Sequence, residues 1–374
     1  MKPQNIAIIG AGPIGCYAGY LLSKAGHHVS IYENHPQVGL PIQCTGLLTH
    51  DFDQFNLRPE SFLINTLTTI QIHSQNKTTQ IPQKEYLVCR KKFDNFFANL
   101  AQLHGATLYL SHSFEKKENN TLIIKDTKNN KEIRITPDIV IASDGPLSVT
   151  SKAYNLYHPN RKNFYGVQAT VKGTFNKDTY QAHFSPKICP GLFAWIVPES
   201  ATTARVGIGT EKDSRIYFEK FMKQQHFIAS EMQAGTIPIY EPKQKLFKDN
   251  CYPLGDAAGF VKATTLGGLI PGLTQAKILT EAFNNNKNTT INQVNKQYLR
   301  TIQPLRRRLR IHLLLHNMFN KFEDKDWDKL IKYMSQPRIQ KILTKHTREN
   351  PIPILTKTLI KEPRFLYFAK FLLK

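Results

Sequence analysis

The stretch Asn5–Glu33, N-I-A-I-I-G-A-G-P-I-G-C-Y-A-G-Y-L-L-S-K-A-G-H-H-V-S-I-Y-E, decides the fold. Asn5–Ile9 is apolar without alternation, as in a short strand buried on both faces. Gly10, Gly12 and Gly15 follow at G-x-G-x-x-G spacing. The first glycine permits a tight turn, the second lets the backbone approach a pyrophosphate, and the third lets helix pack closely on strand. Cys16–Ala25 is predicted helical, with its N-terminal N–H groups and dipole facing the phosphates, and Gly26 ends it. Val29–Tyr32 is a second strand that closes at Glu33, 18 residues after Gly15. An acid at this place accepts ribose hydroxyls and disfavours a 2′-phosphate, so NADP does not suit this position. The order strand, glycine turn, helix, strand, acid predicts a dinucleotide-binding βαβ unit. Its cofactor residues are Gly10, Gly12, Pro13, Gly15 and Glu33.

The rest of the chain bounds the architecture. Its 374 residues suffice for one large domain or a few smaller ones. No run approaches the roughly 18 apolar residues of a membrane span, and no signal peptide is expected before the first strand. Five cysteines (Cys16, Cys44, Cys89, Cys189, Cys251) without C-x-x-C spacing suggest a reducing compartment and no metal site. The net charge is +22, and from Arg300 onward 18 Lys and Arg stand against 6 Asp and Glu. Such a balance fits an anionic partner, whether membrane surface, nucleic acid or acidic cofactor, and equally an AT-rich coding sequence.

Thr66–His73 alternates, and Thr78–Ile81 is placed to pair with it across Asn76-Lys77, as a hairpin of a separate β-layer. Phe93–His104 has helical spacing and ends at Gly105. Thr107–Leu110, Thr121–Ile124 and Ile133–Thr136 read as a small meander, and Asp138–Ala142 as a buried strand running into Asp144-Gly145. Residues 164–209 are strand-rich, Thr274–Ala282 is helical, Asn284–Asn286 is a loop, and Gln297–Lys374 is wholly helical. A second cofactor motif, G-D-A-A-G-F-V at Gly255–Val261, precedes the glycine-rich Leu266–Leu269. Asp256 is placed to hydrogen-bond ribityl or ribose hydroxyls, and Gly267 and Gly268 to bring backbone N–H groups to a flavin edge. Two such motifs so far apart point to FAD.

The order G-x-G-x-x-G, D-G at Asp144-Gly145, then G-D-A-A-G-F-V resembles the aromatic-hydroxylase-type FAD enzymes, and within them the geranylgeranyl reductase family. Val38–Gly46 (V-G-L-P-I-Q-C-T-G) resembles that family's G-x-P-x-x-C-x-x-G segment, one residue short. Arg90 with Phe93-Asp94 resembles its R-x-x-F-D helix start, and Pro190–Pro198 (P-G-L-F-A-W-I-V-P) its P-G-x-Y-x-W-x-F-P signature. The resemblance implies an α/β fold: a Rossmann-type FAD-binding domain, an inserted antiparallel β-sheet substrate domain and a helical C-terminal region. The expected division is 1–58, 84–163 and 250–285 for FAD, 59–83 and 164–249 for substrate, and 286–374 for the helices. It implies FAD contacts at Gly15, Glu33, Cys44, Thr45, Gly46, Arg90, Phe114, Asp256, Gly268 and Leu269, and a lipid cavity lined by Phe193, Trp195 and Pro198. The departures are the loss of a glutamate after Cys44, Phe193 for tyrosine, Val197 for phenylalanine and Glu199 for lysine.

The activity implied is saturation of isolated double bonds in geranylgeranyl chains, with Cys44 as the candidate for positioning or protonation. The implied partners are a geranylgeranyl lipid, an external electron donor (NAD(P)H or a ferredoxin-like protein) and an anionic membrane surface, with no specific nucleic acid. This places the protein in the cytoplasm, peripheral at the inner face of the cell membrane. Arg306–Leu315 reads as a packed helix with a basic rim, and Arg364–Lys374 (R-F-L-Y-F-A-K-F-L-L-K) as a membrane contact. The competing class is an FAD-dependent monooxygenase or halogenase, which shares all three cofactor motifs.

Overall fold

The computed structural model describes residues 2–285 and 290–372. The chain opens with β1 (Asn5–Ile9), α1 (Pro13–Lys24) and β2 (His28–Glu33). The helix starts with Pro13, whose missing N–H is no loss in a first turn. It ends in a paired turn: Gly26 N–H reaches Ser23 O and His27 N–H reaches Leu22 O, with Gly26 at φ +92°. Next come β3 (Leu47–Thr49), β4 (Leu63–His73), β5 (Thr78–Val88), α2 (Arg90–Leu103) and β6 (Thr107–Leu110). A three-stranded meander of β7 (His112–Glu118), β8 (Thr121–Asp126) and β9 (Lys131–Ile135) leads into β10 (Ile139–Ala142) and the short α3 (Val149–Ala153).

The middle of the chain holds β11 (Asn163–Lys172), β12 (Thr179–His183), β13 (Ala194–Pro198), β14 (Thr203–Thr210), α4 (Ser214–Gln224) and β15 (Ala229–Pro238). It then returns through β16 (Cys251–Pro253) to α5 (Leu269–Asn285). Five helices follow: α6 (Ile291–Thr301), α7 (Gln303–Phe319), α8 (Asp324–Met334), α9 (Pro337–Lys345) and α10 (Pro351–Lys361), with a 3₁₀ segment at Pro363–Phe371.

Two sheets carry the site. The first is parallel, in the order β16-β10-β1-β2-β6. The strands β1, β10 and β16 are buried on both faces, which is why they read as apolar runs, while the edge strand β6 is largely exposed. The chain crosses from one side of β1 to the other, so a crevice opens at the carboxyl ends of β1 and β10. The second sheet has eight strands, β15-β11-β14-β13-β12-β4-β5-β3, antiparallel except where β12 runs parallel to β4. The helices α8 and α9 pack against β5.

Four expectations change. Thr107–Leu110 pairs in parallel with β2 in the first sheet, and the meander is completed by His112–Glu118, a strand too charged to stand out in the sequence. Leu47–Thr49 pairs with Glu85–Leu87, so segments assigned to the FAD-binding part (1–58 and 84–163) supply strands to the large sheet. Asn284 and Asn285 extend α5, while Asn286 falls outside the described residues. From Gln297 to the end of the described residues the chain is mostly helical, with residues 373 and 374 outside them, but Pro304, Pro337, Pro351 and Pro363 each sit in a first turn and divide it.

Candidate cofactor and substrate site

One cavity of about 780 Å³ runs from the glycine turn after β1 to the wall formed by the large sheet and the C-terminal helices. At its polar end, Gly10 stands at φ +98°. A Cβ on Gly15 would strike the Gly10 carbonyl and the Ser143 hydroxyl, so helix and strand meet there only through glycine. Ser143 Oγ donates to the carbonyls of Ile9 and Gly10, both at 2.9 Å, and locks the turn. Gly12 faces open space and caps α1 without a side chain, leaving the first-turn N–H groups for an anion. Glu33 accepts from Ala11 N (2.8 Å) and His35 N (3.0 Å), meets His35 Nδ1 at 2.6 Å, and lines the cavity.

Asp256 lies in a 3₁₀ turn at Gly255–Ala258 and also lines the cavity. Among the described residues, none hydrogen-bonds its carboxylate. Burial raises its pKa, while the charges of Arg90 and Arg161 pull it down. Such an acceptor wants a hydroxyl partner. A Cβ on Gly268 would sit 2.8 Å from Asp256 Oδ1 and 3.1 Å from Val261 Cγ2, and Leu269 begins α5 beside it. Two helix N-termini, two acceptors and a glycine-lined edge in one cleft fit FAD. The orphaned Asp256 carboxylate is the observation that tests the fit.

The loop Cys44–Gly46 closes over this cleft. Cys44 Sγ accepts from Gly46 N at 3.3 Å, and Thr45 Oγ1 donates to Gln168 Oε1 at 2.6 Å. Arg205 binds the carbonyls of Thr45 and Val88 while its Nε pairs with Glu199 at 2.7 Å. Glu199, unusual against the family pattern, thus orients the arginine that fixes the loop. Arg90 opens α2 and binds Asp94 through both Nε and Nη2 at 3.0 Å, so part of its guanidinium is already paired. It lies beside Cys44 in the cavity wall. Phe114 and Gly145 line the wall as well. Asp144 also does, but its carboxylate accepts from Ser148 Oγ and Thr150 N and mainly shapes the turn into α3.

The apolar end corrects one expectation. Phe193, Trp195 and Val197 line the cavity, whereas Pro198 does not and instead accepts from Asn65 Nδ2 at 3.0 Å. Strand alternation is the reason: residues 193, 195 and 197 share one face of β13 and its N-terminal approach, and Pro198 points the other way. Trp195 Nε1 donates to Gln168 Oε1 at 3.0 Å, and its ring lies flat over Gly207, where a Cβ would collide with it. Ile70, Ile72, Ile81 and Ala182 continue the wall. The alternation at Thr66–His73 carried that signal.

Several cavity residues escaped the sequence reading because their partners are remote in the chain. Lys262, beside Gly267, forms a buried ion pair with Glu349, which also accepts from Thr49 Oγ1 at 3.2 Å. Arg348 grips the fully buried Glu85 and Tyr180 Oη. Of the last eleven residues, Phe368 and Phe371 are buried against Phe322. No helix among the described residues is long and apolar enough to cross a membrane, and no cluster of His, Cys, Asp and Glu that could hold a metal is present among them.

Residues 8–61 match the NAD(P)-binding Rossmann-like domain family. The chain is 26% identical over 301 residues to digeranylgeranylglycerophospholipid reductase 2 of Methanothermobacter thermautotrophicus, covering 74% of this chain and 77% of that protein. It is 25% identical to digeranylgeranylglycerophospholipid reductase 3 of Methanosphaera stadtmanae, covering 98% of this chain and 99% of that protein. Among solved structures, it superposes on a geranylgeranyl bacteriochlorophyll reductase-like protein of Thermoplasma acidophilum with a TM-score of 0.87 at 19% identity, covering 100% of both chains. A flavin-dependent brominase superposes with a TM-score of 0.72 at 16% identity, covering 97% of this chain and 99% of that one. The likeness to both structures is one of fold.

Proposed function

From its kinship with the digeranylgeranylglycerophospholipid reductases, we propose that this protein is an FAD-dependent reductase that saturates isolated double bonds of geranylgeranyl chains in membrane lipids. The observation that carries the reading is the continuity of the cavity: a glycine-lined polar cleft opens directly onto an apolar wall of Trp195, Val197, Ile70, Ile72 and Ile81. FAD, when bound, supplies the hydride for the alkene. The chain's own residues do the rest. Glu33 and Asp256 accept hydroxyls, and the first turns of α1 and α5 meet the negative groups. The hydrogen-bond chain Trp195–Gln168–Thr45 ties the substrate wall to the loop that carries Cys44. The aliphatic wall keeps water from the reacting bond. Cys44 Sγ holds the proton that adds to the second alkene carbon, and the electrons come from an external donor.

The test is anaerobic incubation of the chemically reduced protein with a geranylgeranyl ether lipid. The product gains the mass of two hydrogens for each bond reduced; an unchanged mass overturns the reading. Cys44→Ala retains flavin but loses reduction, and Cys44→Ser restores part of it. The brominase-like fold supports the alternative of a monooxygenase or halogenase, which requires oxygen and so yields nothing in this assay.

A further inference from the structure

The helix α10 is the most apolar of the five helices α6–α10, yet it buries only Pro351 and Thr358. A helix on the surface of a globular protein normally turns its apolar stripe inward. Here Ile352, Ile354 and Leu355 are half-buried, but part of the apolar surface faces out. Ile360, at the centre of the outward face, is 76% exposed, and Leu359 beside it is 38% exposed. Lys357 and Lys361 flank them on the other edge and are exposed. The neighbouring 3₁₀ segment and its end add Leu366 and Leu372, which are 61% and 43% exposed.

The charge of this region points one way. Between Pro337 and Leu372 the two acidic residues, Glu349 and Glu362, are both buried, the first on Lys262 and the second on Arg338 and Arg364. Lys341, Lys345, Lys357, Lys361 and Lys370 are all exposed. The outward charge of α9, α10 and the 3₁₀ segment is therefore positive throughout. Aliphatic side chains in the plane of the surface, ringed by lysines, match an anionic bilayer: the apolar groups enter the acyl boundary and the lysines meet the headgroups. On its inner side the same helix presents Ile354 to the cavity, as α9 presents Leu343.

We infer that α10 is a membrane-entry element: its outer face sits in an anionic lipid bilayer and its inner face forms part of the wall along which a lipid chain enters the cavity. The inference rests on the lipid-reductase reading for the identity of that chain, but not for the docking itself. It adds Pro351–Lys361 to the membrane contact expected at Arg364–Lys374, where Leu366 and Leu372 are exposed while Phe368 and Phe371 are buried.

Cosedimentation with vesicles tests it. Wild-type protein pellets with vesicles of phosphatidylglycerol and phosphatidylcholine, binds phosphatidylcholine alone far more weakly, and is released by salt. Leu359→Ser/Ile360→Ser loses about tenfold or more in vesicle affinity, because two aliphatic side chains leave the acyl boundary. Arg307→Ser/Arg310→Ser on α7 changes it by less than about threefold. Both pairs are exposed, so unchanged thermal midpoints accompany either result. As a second measurement, a solvatochromic dye attached through Ile360→Cys shifts to the blue on anionic vesicles. Failure of the wild type to pellet, equal binding by the α10 variant, or a dye that reports only a dimer of this chain would each overturn the inference. Vesicle binding through α10 without any prenyl reduction would uphold it while removing the reductase reading.

Discussion

At the scale of single residues, the site depends on places where a side chain is forbidden. Gly207 lies under the Trp195 indole, and the missing Cβ is what lets the ring lie flat on β14 and reach Gln168. Gly207→Ala therefore displaces the indole from the cavity wall and costs about 1–3 kcal/mol through overpacking. A shift in tryptophan emission together with a lower urea midpoint checks this. Gly268 stands against the Asp256 carboxylate in the same way. Gly268→Ala pushes that carboxylate off its position, so the purified variant carries less flavin, read from its visible absorbance. If the variant is as yellow as the wild type, the Asp256 turn is not the cofactor's anchor. Sequence motifs marked Gly268 but not Gly207, since only the pairing of β13 with β14 brings residue 207 under residue 195.

At the scale of elements, the parallel join of β4 to β12 brings His73 and His183 face to face, with ring centroids 4.4 Å apart. His183 also meets Gln181 Oε1 and the Phe221 ring, and His73 meets Thr78 Oγ1. Burial first, and then His73, push the His183 pKa down to about 3. His312, buried near Lys262 and bonded to Thr264, is also pushed down to about 3. A histidine with a lowered folded pKa stabilises fully above its unfolded value of about 6.5, and that stability is lost as pH falls toward 3. Stability thus declines below about pH 6.5, with each buried histidine adding at most one proton, or about 1.4 kcal/mol per pH unit. His183→Gln flattens this slope by up to one proton. Urea unfolding at a series of pH values reads it, and an unchanged slope would mean that His183 stays solvated.

At the scale of the whole molecule, two ion pairs fasten the C-terminal helices, one to the cofactor half and one to the large sheet. Lys262 comes from the glycine-rich segment before α5, and Glu349 from the turn before α10. Arg348, one residue earlier, binds Glu85 on β5. Lys262→Met strands Glu349 as a buried, unpaired carboxylate and costs about 3–5 kcal/mol in unfolding free energy. Adding Glu349→Leu restores most of it, because removing both charges removes the penalty along with the attraction. A double variant no more stable than Lys262→Met would show that the pair is solvated. These ties explain how one cavity is shared by parts of the chain more than 300 residues apart.

The sequence by itself determined the cofactor half and the kind of chemistry. Strand burial, glycine spacing and terminal acids are local properties, so Gly10–Glu33 and Gly255–Leu269 could be read where they stand. Alternation over Thr66–His73 was equally local, and Phe193, Trp195 and Pro198 came from a family likeness, though it took the sheet to show which face turns toward the cavity, and so to replace Pro198 with Val197. Only the tertiary structure decided which strands joined which sheet, that Glu199 acts through Arg205, that Lys262 has a partner, and that α10 turns Leu359 and Ile360 outward. Each of these depends on contacts between residues distant in the chain, and no local pattern encodes them.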